Sequence, residues 1–131
     1  MAVPRQKFRE AVFLALFGLS EEANPDFLAP LIMEELKMTK KNVHEALVFA
    51  AQVHKKLPDL DEKIRQASTA YDFERIPLVE RNILRLGVFE MNSLPPAIAM
   101  SEAIRLTRKF SSFEAANFVN AIMDSIHKNA T

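Results

Sequence analysis

Residues 77–110 read PLVERNILRLGVFEMNSLPPAIAMSEAIRLTRKF, and this stretch decides the fold class. Apolar side chains recur at helical spacing on both sides of residues 92–96, whose two adjacent prolines predict a loop. Before the loop these side chains are Ile83, Leu84, Leu86 and Phe89, and after it they are Ile98, Ala103, Ile104, Leu106 and Phe110. The stretch therefore predicts two amphipathic helices joined by a proline-rich loop. Glu80, Arg81 and Arg85 of the first of these helices are expected to face solvent or partners.

Residues that begin or end helices also occur outside this stretch, toward both ends of the chain. Asn24 and Thr39 are predicted N-caps, Gly18 a helix stop, and Ser111 and Ser112 caps. The apolar stripe of the second helix is predicted at Leu28, Leu31, Ile32 and Leu36. The predicted helices cover about 4–19, 25–37, 40–56, 59–71 and 77–91, then the residues from the proline loop to 110, and 113–127. Seven amphipathic helices can bury their apolar stripes only against one another, which predicts an all-α bundle. The break at 68–77 suggests two subdomains within one domain, about 1–67 and 68–131.

Composition narrows the function classes. The 131 residues, 49% apolar, carry 17 basic and 17 acidic side chains, so disorder and a uniformly basic nucleic-acid coat are excluded. Cysteine is absent, which rules out disulfides and Cys-ligated zinc and favours a cytoplasmic location. The apolar run 11–19 is too short to span a membrane. With only two glycines, a Walker loop and a dinucleotide fingerprint are impossible.

No catalytic or metal-binding constellation stands out. The histidines His44, His54 and His127 lack metal-ligand spacing. Adjacent carboxylates at 21–22 and 34–35 point about 100° apart on a helix, so they indicate solvated surface. The serines lack a Gly-x-Ser-x-Gly elbow, although a triad assembled from distant residues stays open. We therefore expect no metal, no cofactor and no enzymatic activity.

Charge placement is more informative than the net charge. Arg5, Lys7 and Arg9, the first-helix bases, precede any acidic residue, whereas residues 20–36 hold five acids and no base. A cationic helix start can contact phosphates, and the alternative is a solvated terminus. The same two interpretations apply to a second basic cluster, which consists of Arg105, Arg108 and Lys109.

Specific motifs run through the last three helices and the first. They are Arg81-Asn-Ile-Leu-Arg85-Leu-Gly-Val-Phe-Glu90, Leu94-Pro-Pro-Ala-Ile-Ala-Met-Ser-Glu102-Ala, Lys109-Phe110, Phe118-Val-Asn120 and Asp124, with Arg5-Gln-Lys7-Phe-Arg9-Glu10-Ala-Val and Ala15-Leu-Phe17 at the start. In this order and spacing they resemble the transcription antitermination factor NusB family, most weakly over 20–58. The chain departs from that pattern at Ser101, Ala121, Phe17 and Phe89, where Asn, Gly, Tyr and Tyr are usual, and its first helix has fewer arginines.

The resemblance implies an all-α adaptor built of two three-helix-like bundles. In that family the adaptor joins ribosomal protein S10, also called NusE, on the boxA element of nascent ribosomal RNA transcripts and helps RNA polymerase read through terminators. The positions that match the family's RNA-contacting residues are Arg5, Lys7, Arg9, Glu114 and Phe118. Those that match its S10-binding face are Phe17, Glu74 and Glu80.

The sequence alone also allows other interpretations. Without the resemblance, Phe17 and Phe118 would be assigned to the core. The reduced arginine count is also compatible with a protein-interaction bundle, such as a homodimer that has lost RNA binding. An accessory domain of an RNA-modifying enzyme is a further alternative, but the chain has no glycine-rich loop for a methyl donor.

Overall fold

The computed structural model describes residues 4–22 and 24–129, which fold into α-helices and one short 3₁₀ helix. The helices are α1 (Arg5–Ser20), α2 (Pro25–Leu36), α3 (Lys40–Lys55), α4 (Leu57–Ala67), α5 (Leu78–Glu90), α6 (Pro96–Phe110) and α7 (Phe113–Asn129), with the 3₁₀ helix over Phe73–Arg75. The predicted all-α class is confirmed. Within these ranges no helix is both long enough and apolar enough to cross a bilayer.

Internal contacts divide the chain between Lys55 and Lys56, not near residue 68 as the sequence suggested. α1, α2 and α3 pack together in the first unit, and α4 packs on α5 and α7 in the second. The reason is that α4 buries Leu60 and Ile64 in the core of the second unit. The aperiodic segment at 68–77 is therefore a connection inside that unit.

Helix boundaries near proline and glycine differ from expectation in two places. Pro58 lies in the first turn of α4, which begins at Leu57, because a proline at the start of a helix costs no backbone hydrogen bond. α1 continues past Gly18 to Ser20, so the predicted stop was wrong. A Cβ on Gly18 would lie 2.5 Å from Cδ2 of Leu28, and the missing side chain thus allows α2 to cross close to α1.

The predicted caps of the first unit are confirmed. The Asn24 side-chain oxygen accepts a hydrogen bond of 2.9 Å from the backbone N–H of Asp26, and the Thr39 hydroxyl accepts one of 3.2 Å from that of Asn42. The apolar stripe of α2 is correct at Ile32, which is buried, but wrong at Leu31, which is 64% exposed. Periodicity alone cannot show which edge of an apolar stripe a neighbouring helix covers.

α5 is the central helix of the second unit, with nine of its thirteen residues buried. Arg85, expected at the surface, is buried instead. Its Nε and Nη2 atoms donate to the two carboxylate oxygens of Asp61 on α4 at 2.7 and 2.9 Å, and its Nη1 atom donates to Asn82 at 2.9 Å. Such a bidentate ion pair has a defined geometry, and it ties α4 to α5.

Candidate functional site

The first-helix bases occupy the first turns of α1. Arg5 is exposed, whereas Lys7 and Arg9 are half-buried. The first turn contains no acidic side chain, and Pro4 provides no side-chain cap. Positive side chains at an uncapped helix start, where backbone N–H groups lack helical partners, favour an anion. Lys7 also has a structural role, because its ammonium group donates to the backbone carbonyl of Lys37 at 3.3 Å.

Three of the predicted site residues line a single cavity in the second unit. The cavity encloses about 380 Å³, and its lining includes Tyr71, Arg75, Glu80, Ser112, Glu114 and Phe118. The family resemblance implies a protein partner for Glu80 and RNA for Glu114 and Phe118. The structure brings these residues together, so one site contains members of both predicted sets. We call it the Tyr71–Phe118 cavity.

An aromatic pair forms one wall of this cavity. The ring of Tyr71 meets that of Phe118 edge to face, with centroids 5.2 Å apart and an interplanar angle of 86°. Tyr71 is 62% exposed and Phe118 is half-buried, so the pair belongs to the surface and not to the core. Aromatic rings at a surface, close to an arginine such as Arg75, are a suitable platform for a nucleobase and its phosphate.

Glu80 lines the cavity but is buried, which corrects the expectation that it faces solvent or a partner. Its side chain is on α5, and the residue is 6% exposed. One carboxylate oxygen accepts a hydrogen bond from the Ser111 hydroxyl, and the other is buried without a hydrogen-bond partner among the described residues. Glu80 therefore fastens the turn between α6 and α7, and the Ser112 hydroxyl in the same turn caps α7 by accepting from the Ala115 N–H at 3.0 Å.

Glu74 lies in the 3₁₀ helix and has the exposure expected of a partner contact. Its side chain is 67% exposed, and the Arg65 guanidinium donates to it at 3.3 Å. A hydrogen bond from its own backbone amide and a further one from Arg65 lower the pKa of the Glu74 carboxyl. The carboxylate is thus held charged and in a defined position on the surface.

Two guanidinium groups contact the aromatic ring of this segment. Arg65 and Arg81 lie 4.3 and 4.9 Å from the centroid of the buried Phe73 ring. Arg81 also donates to the backbone carbonyls of Glu74 and Ile76 at 3.0 and 2.8 Å. These contacts hold the short 3₁₀ helix in place. This helix contains Glu74, and it includes Arg75 of the Tyr71–Phe118 cavity.

Phe17 belongs to the first unit, in the C-terminal half of α1. It is half-buried, and its ring centroid lies 6.5 Å from that of the buried Phe13 at a tilt of 54°. The exposed part of the ring can serve a partner, and the rest packs within the unit.

The three residues of the second basic cluster do not share one site in the structure. Arg105 and Arg108 line a groove of about 690 Å³ formed by α6 and α7, whereas Lys109 is not part of its lining. Arg105 is paired with Glu102 at 2.7 Å, and Arg108 lies 5.4 Å from the centroid of the exposed Phe113 ring. In residues 4–22 and 24–129, no group of three or more potential metal ligands is found.

Sequence reasoning missed Tyr71 and Arg75. The available signal was modest: Tyr71 is the single tyrosine of the chain, and it stands in the aperiodic segment at 68–77. Its contact with Phe118 spans 47 positions along the chain, since 118 − 71 = 47, and only packing reveals it.

The sequence of this chain is similar to known proteins over nearly its whole length. The NusB family model matches residues 6–128. The transcription antitermination protein NusB of Chlamydia pneumoniae is 37% identical over 132 aligned residues, covering 98% of this chain and 82% of that protein.

Solved structures agree with the sequence match. A chain in the crystal structure of a plectonemic RNA supercoil is 27% identical and superposes with a TM-score of 0.82, covering 96% of this chain and 95% of the other. The antitermination factor NusB, in its crystal structure with NusE and dsRNA, is also 27% identical, with a TM-score of 0.77 and coverage of 95% and 96%. The match in sequence and in fold extends over nearly the whole chain, and this protein therefore belongs to the NusB family.

Proposed function

We propose that this chain is a transcription antitermination factor that binds boxA-type RNA together with ribosomal protein S10. The observation that carries the proposal is the family match over residues 6–128. The similarity to a NusB chain in complex with NusE and dsRNA adds support. In this proposal the protein is a cytoplasmic adaptor without catalytic activity, and it acts within an RNA polymerase antitermination complex.

The RNA side of the proposal rests on two kinds of contact. The first-helix bases neutralise phosphates, which supplies affinity without sequence preference. The Tyr71–Phe118 cavity accepts an unstacked base of a single strand, because exposed aromatic rings offer a stacking surface and nearby polar groups can read base edges. Glu114 is exposed at the cavity, where its carboxylate can accept a hydrogen bond from an exocyclic amine.

The S10 side rests on Glu74 and Phe17. Glu74 is an exposed, charged carboxylate and suits a basic ribosomal protein. Phe17 provides a partly exposed aromatic anchor. Glu80 acts within the second unit as a positioning residue, since its side chain is buried and contacts Ser111.

Fluorescence anisotropy with a boxA-type RNA and a permuted RNA, each with and without S10, tests the proposal. We expect S10 to strengthen binding of the boxA-type RNA more than that of the permuted RNA. Loss of one stacking platform costs about 1 to 3 kcal/mol, so Phe118→Ala should weaken RNA binding roughly 5- to 150-fold. Phe113→Ala is the matched control, because Phe113 is on the same helix, is 72% exposed and does not line the cavity.

The stability of the same variant separates stacking from core packing. A fully buried phenylalanine loses about 3 to 5 kcal/mol on truncation, and the half-buried Phe118 should lose less. A large fall in the denaturation midpoint with unchanged RNA affinity of the folded protein would assign Phe118 to the core. If the chain binds neither RNA, with or without S10, and sediments as a dimer, the homodimeric interaction bundle replaces the adaptor.

A further inference from the structure

α2 presents an apolar face that no described part of the chain covers. Phe27 is 73% exposed and Leu31, one helical turn later, is 64% exposed. Pro30 stands between them on the helix surface and is also exposed. Large apolar side chains that are exposed singly are ordinary, but neighbours on one face of a helix indicate a contact surface. We call Phe27, Pro30 and Leu31 the α2 face.

Packing inside the first unit sets the direction of this face. Leu28 lies against Gly18 of α1, and Ile32 is 3% exposed in the core. These two residues are four positions apart, so they hold one side of α2 against the bundle. Phe27 and Leu31 have the same spacing and are displaced by one residue, about 100° around the helix. Their exposure therefore follows from how α2 is anchored.

The exposed charged side chains from residue 21 to residue 35 are all acidic. Asp26, Glu34 and Glu35 are exposed on the same helix, and Glu21 and Glu22 are exposed just before it. Among the described residues, none of these five carboxylates forms an ion pair. No basic residue occurs from position 20 to 36, and Lys37 follows only at the end of the helix. Carboxylates thus border the apolar residues over most of α2, and positive charge enters at its C-terminal end, where the Lys7 ammonium group donates to the carbonyl of the exposed Lys37.

The negative rim determines the kind of occupant. RNA and anionic membrane surfaces carry the same sign of charge and are repelled. A protein segment with lysines or arginines is attracted, and apolar side chains one turn apart on a helix can meet Phe27 and Leu31. We propose that the α2 face docks a basic amphipathic helix of a partner protein. The proposal is independent of the proposed RNA-binding function, to which no residue of this face is assigned.

A designed peptide tests the surface with the full-length chain. The probe is a fluorescein-labelled helical peptide of about 16 residues, with two leucines four positions apart, lysines beside them and alanine elsewhere. One control peptide has the same composition with the leucines on opposite faces, and another has glutamate in place of lysine. We expect the probe to bind more tightly than either control, and its affinity to fall when the salt concentration is raised from about 50 to 300 mM.

Three variants locate the contact. Phe27→Ala/Leu31→Ala should weaken probe binding at least about tenfold, because it removes both apolar anchors. Glu34→Gln/Glu35→Gln should weaken it about threefold and reduce the salt dependence, since exposed charge pairs are individually weak. Val48→Ala is the matched control, because Val48 is a partly exposed apolar residue of α3 in the same unit, and it should leave the affinity unchanged.

Three further readouts keep the outcome unambiguous. Amide chemical-shift changes in the labelled protein should concentrate on residues 25–36, and boxA-type RNA affinity should be the same for wild type and both double variants. Since all four substituted side chains are exposed, circular dichroism should show unchanged helicity.

Any of four results would overturn the proposal. The first is equal binding of the probe and the control with leucines on opposite faces. The second is equal loss of affinity in Val48→Ala, and the third is a set of shift changes outside α2. The fourth is a protein dimer that Phe27→Ala/Leu31→Ala abolishes, because a second copy of the chain would then be the occupant.

Discussion

Replacing Glu80 separates a direct partner contact from a positioning role. The resemblance places Glu80 on the S10 face, but its residue exposure of 6% and its contact with Ser111 place it inside the second unit. The informative pair is Glu80→Gln, which keeps shape and removes charge, and Glu80→Lys, which reverses charge. Glu74→Gln, at an exposed carboxylate, is the control for loss of surface charge.

The structure sets the size of the expected effects. A hydrogen bond to a charged group contributes about 1.5 to 3 kcal/mol and one between neutral groups about 0.5 to 1.5 kcal/mol, so the amide of Glu80→Gln loses roughly 1 kcal/mol at Ser111. It also removes a buried charged oxygen that has no partner, which offsets the loss. The net change in unfolding free energy should stay within about 1 kcal/mol. Glu80→Lys buries a cation beside the cavity that Arg75 lines, and should cost about 2 to 4 kcal/mol.

Urea denaturation and calorimetry with S10 measure the two quantities on the same samples. We expect Glu80→Gln to bind S10 with near-normal affinity, Glu80→Lys to be destabilised, and Glu74→Gln to bind S10 more weakly and with less salt dependence while remaining stable. Should Glu80→Gln keep its stability but lose more than about tenfold in S10 affinity, the carboxylate touches the partner directly and the positioning role is refuted.

Three other predictions concern the remaining site residues. Changing all the first-helix bases to alanine should lower the slope of log affinity against log salt by about 2, since each phosphate contact contributes about 0.7 on single-stranded RNA, and an unchanged slope would exclude these contacts. Phe17→Ala should reduce S10 affinity in calorimetry, with a stability loss below the roughly 3 to 5 kcal/mol of a fully buried phenylalanine; normal affinity would remove Phe17 from the partner face. The Glu74 carboxyl has a lowered pKa, so its stabilising contribution should be present above the ordinary glutamate pKa and lost as the pH falls through the lowered value. Arg65→Met should raise that pKa in an NMR titration, and an unchanged titration would show that Arg65 does not hold the carboxylate.

The local structure of this protein could be predicted from short stretches of its sequence. The all-α class and the caps at Asn24, Thr39 and Ser112 were predicted and confirmed, and so was the proline loop, except that its last predicted residue, Pro96, begins α6. Each depends on interactions within a few residues: a cap reaches two or three positions ahead, and a proline acts on the turn that contains it. The effects of caps and prolines therefore do not depend on which other helix packs nearby.

Tertiary packing decided which helix faces are covered and which distant residues meet. Periodicity places Leu31 on an apolar stripe, but it does not show that this side chain is 64% exposed. Periodicity also places Arg85 at the surface, whereas in the structure Arg85 is buried in an ion pair with Asp61. Likewise, the pairing of Tyr71 with Phe118 has no counterpart in local sequence. A helical pattern specifies which side chains share a face, whereas burial depends on the neighbour that occupies the space beside that face. The neighbour is set by the packing of whole helices, and for this reason the cavity, the buried Glu80 and the open face of α2 emerged only from the folded chain.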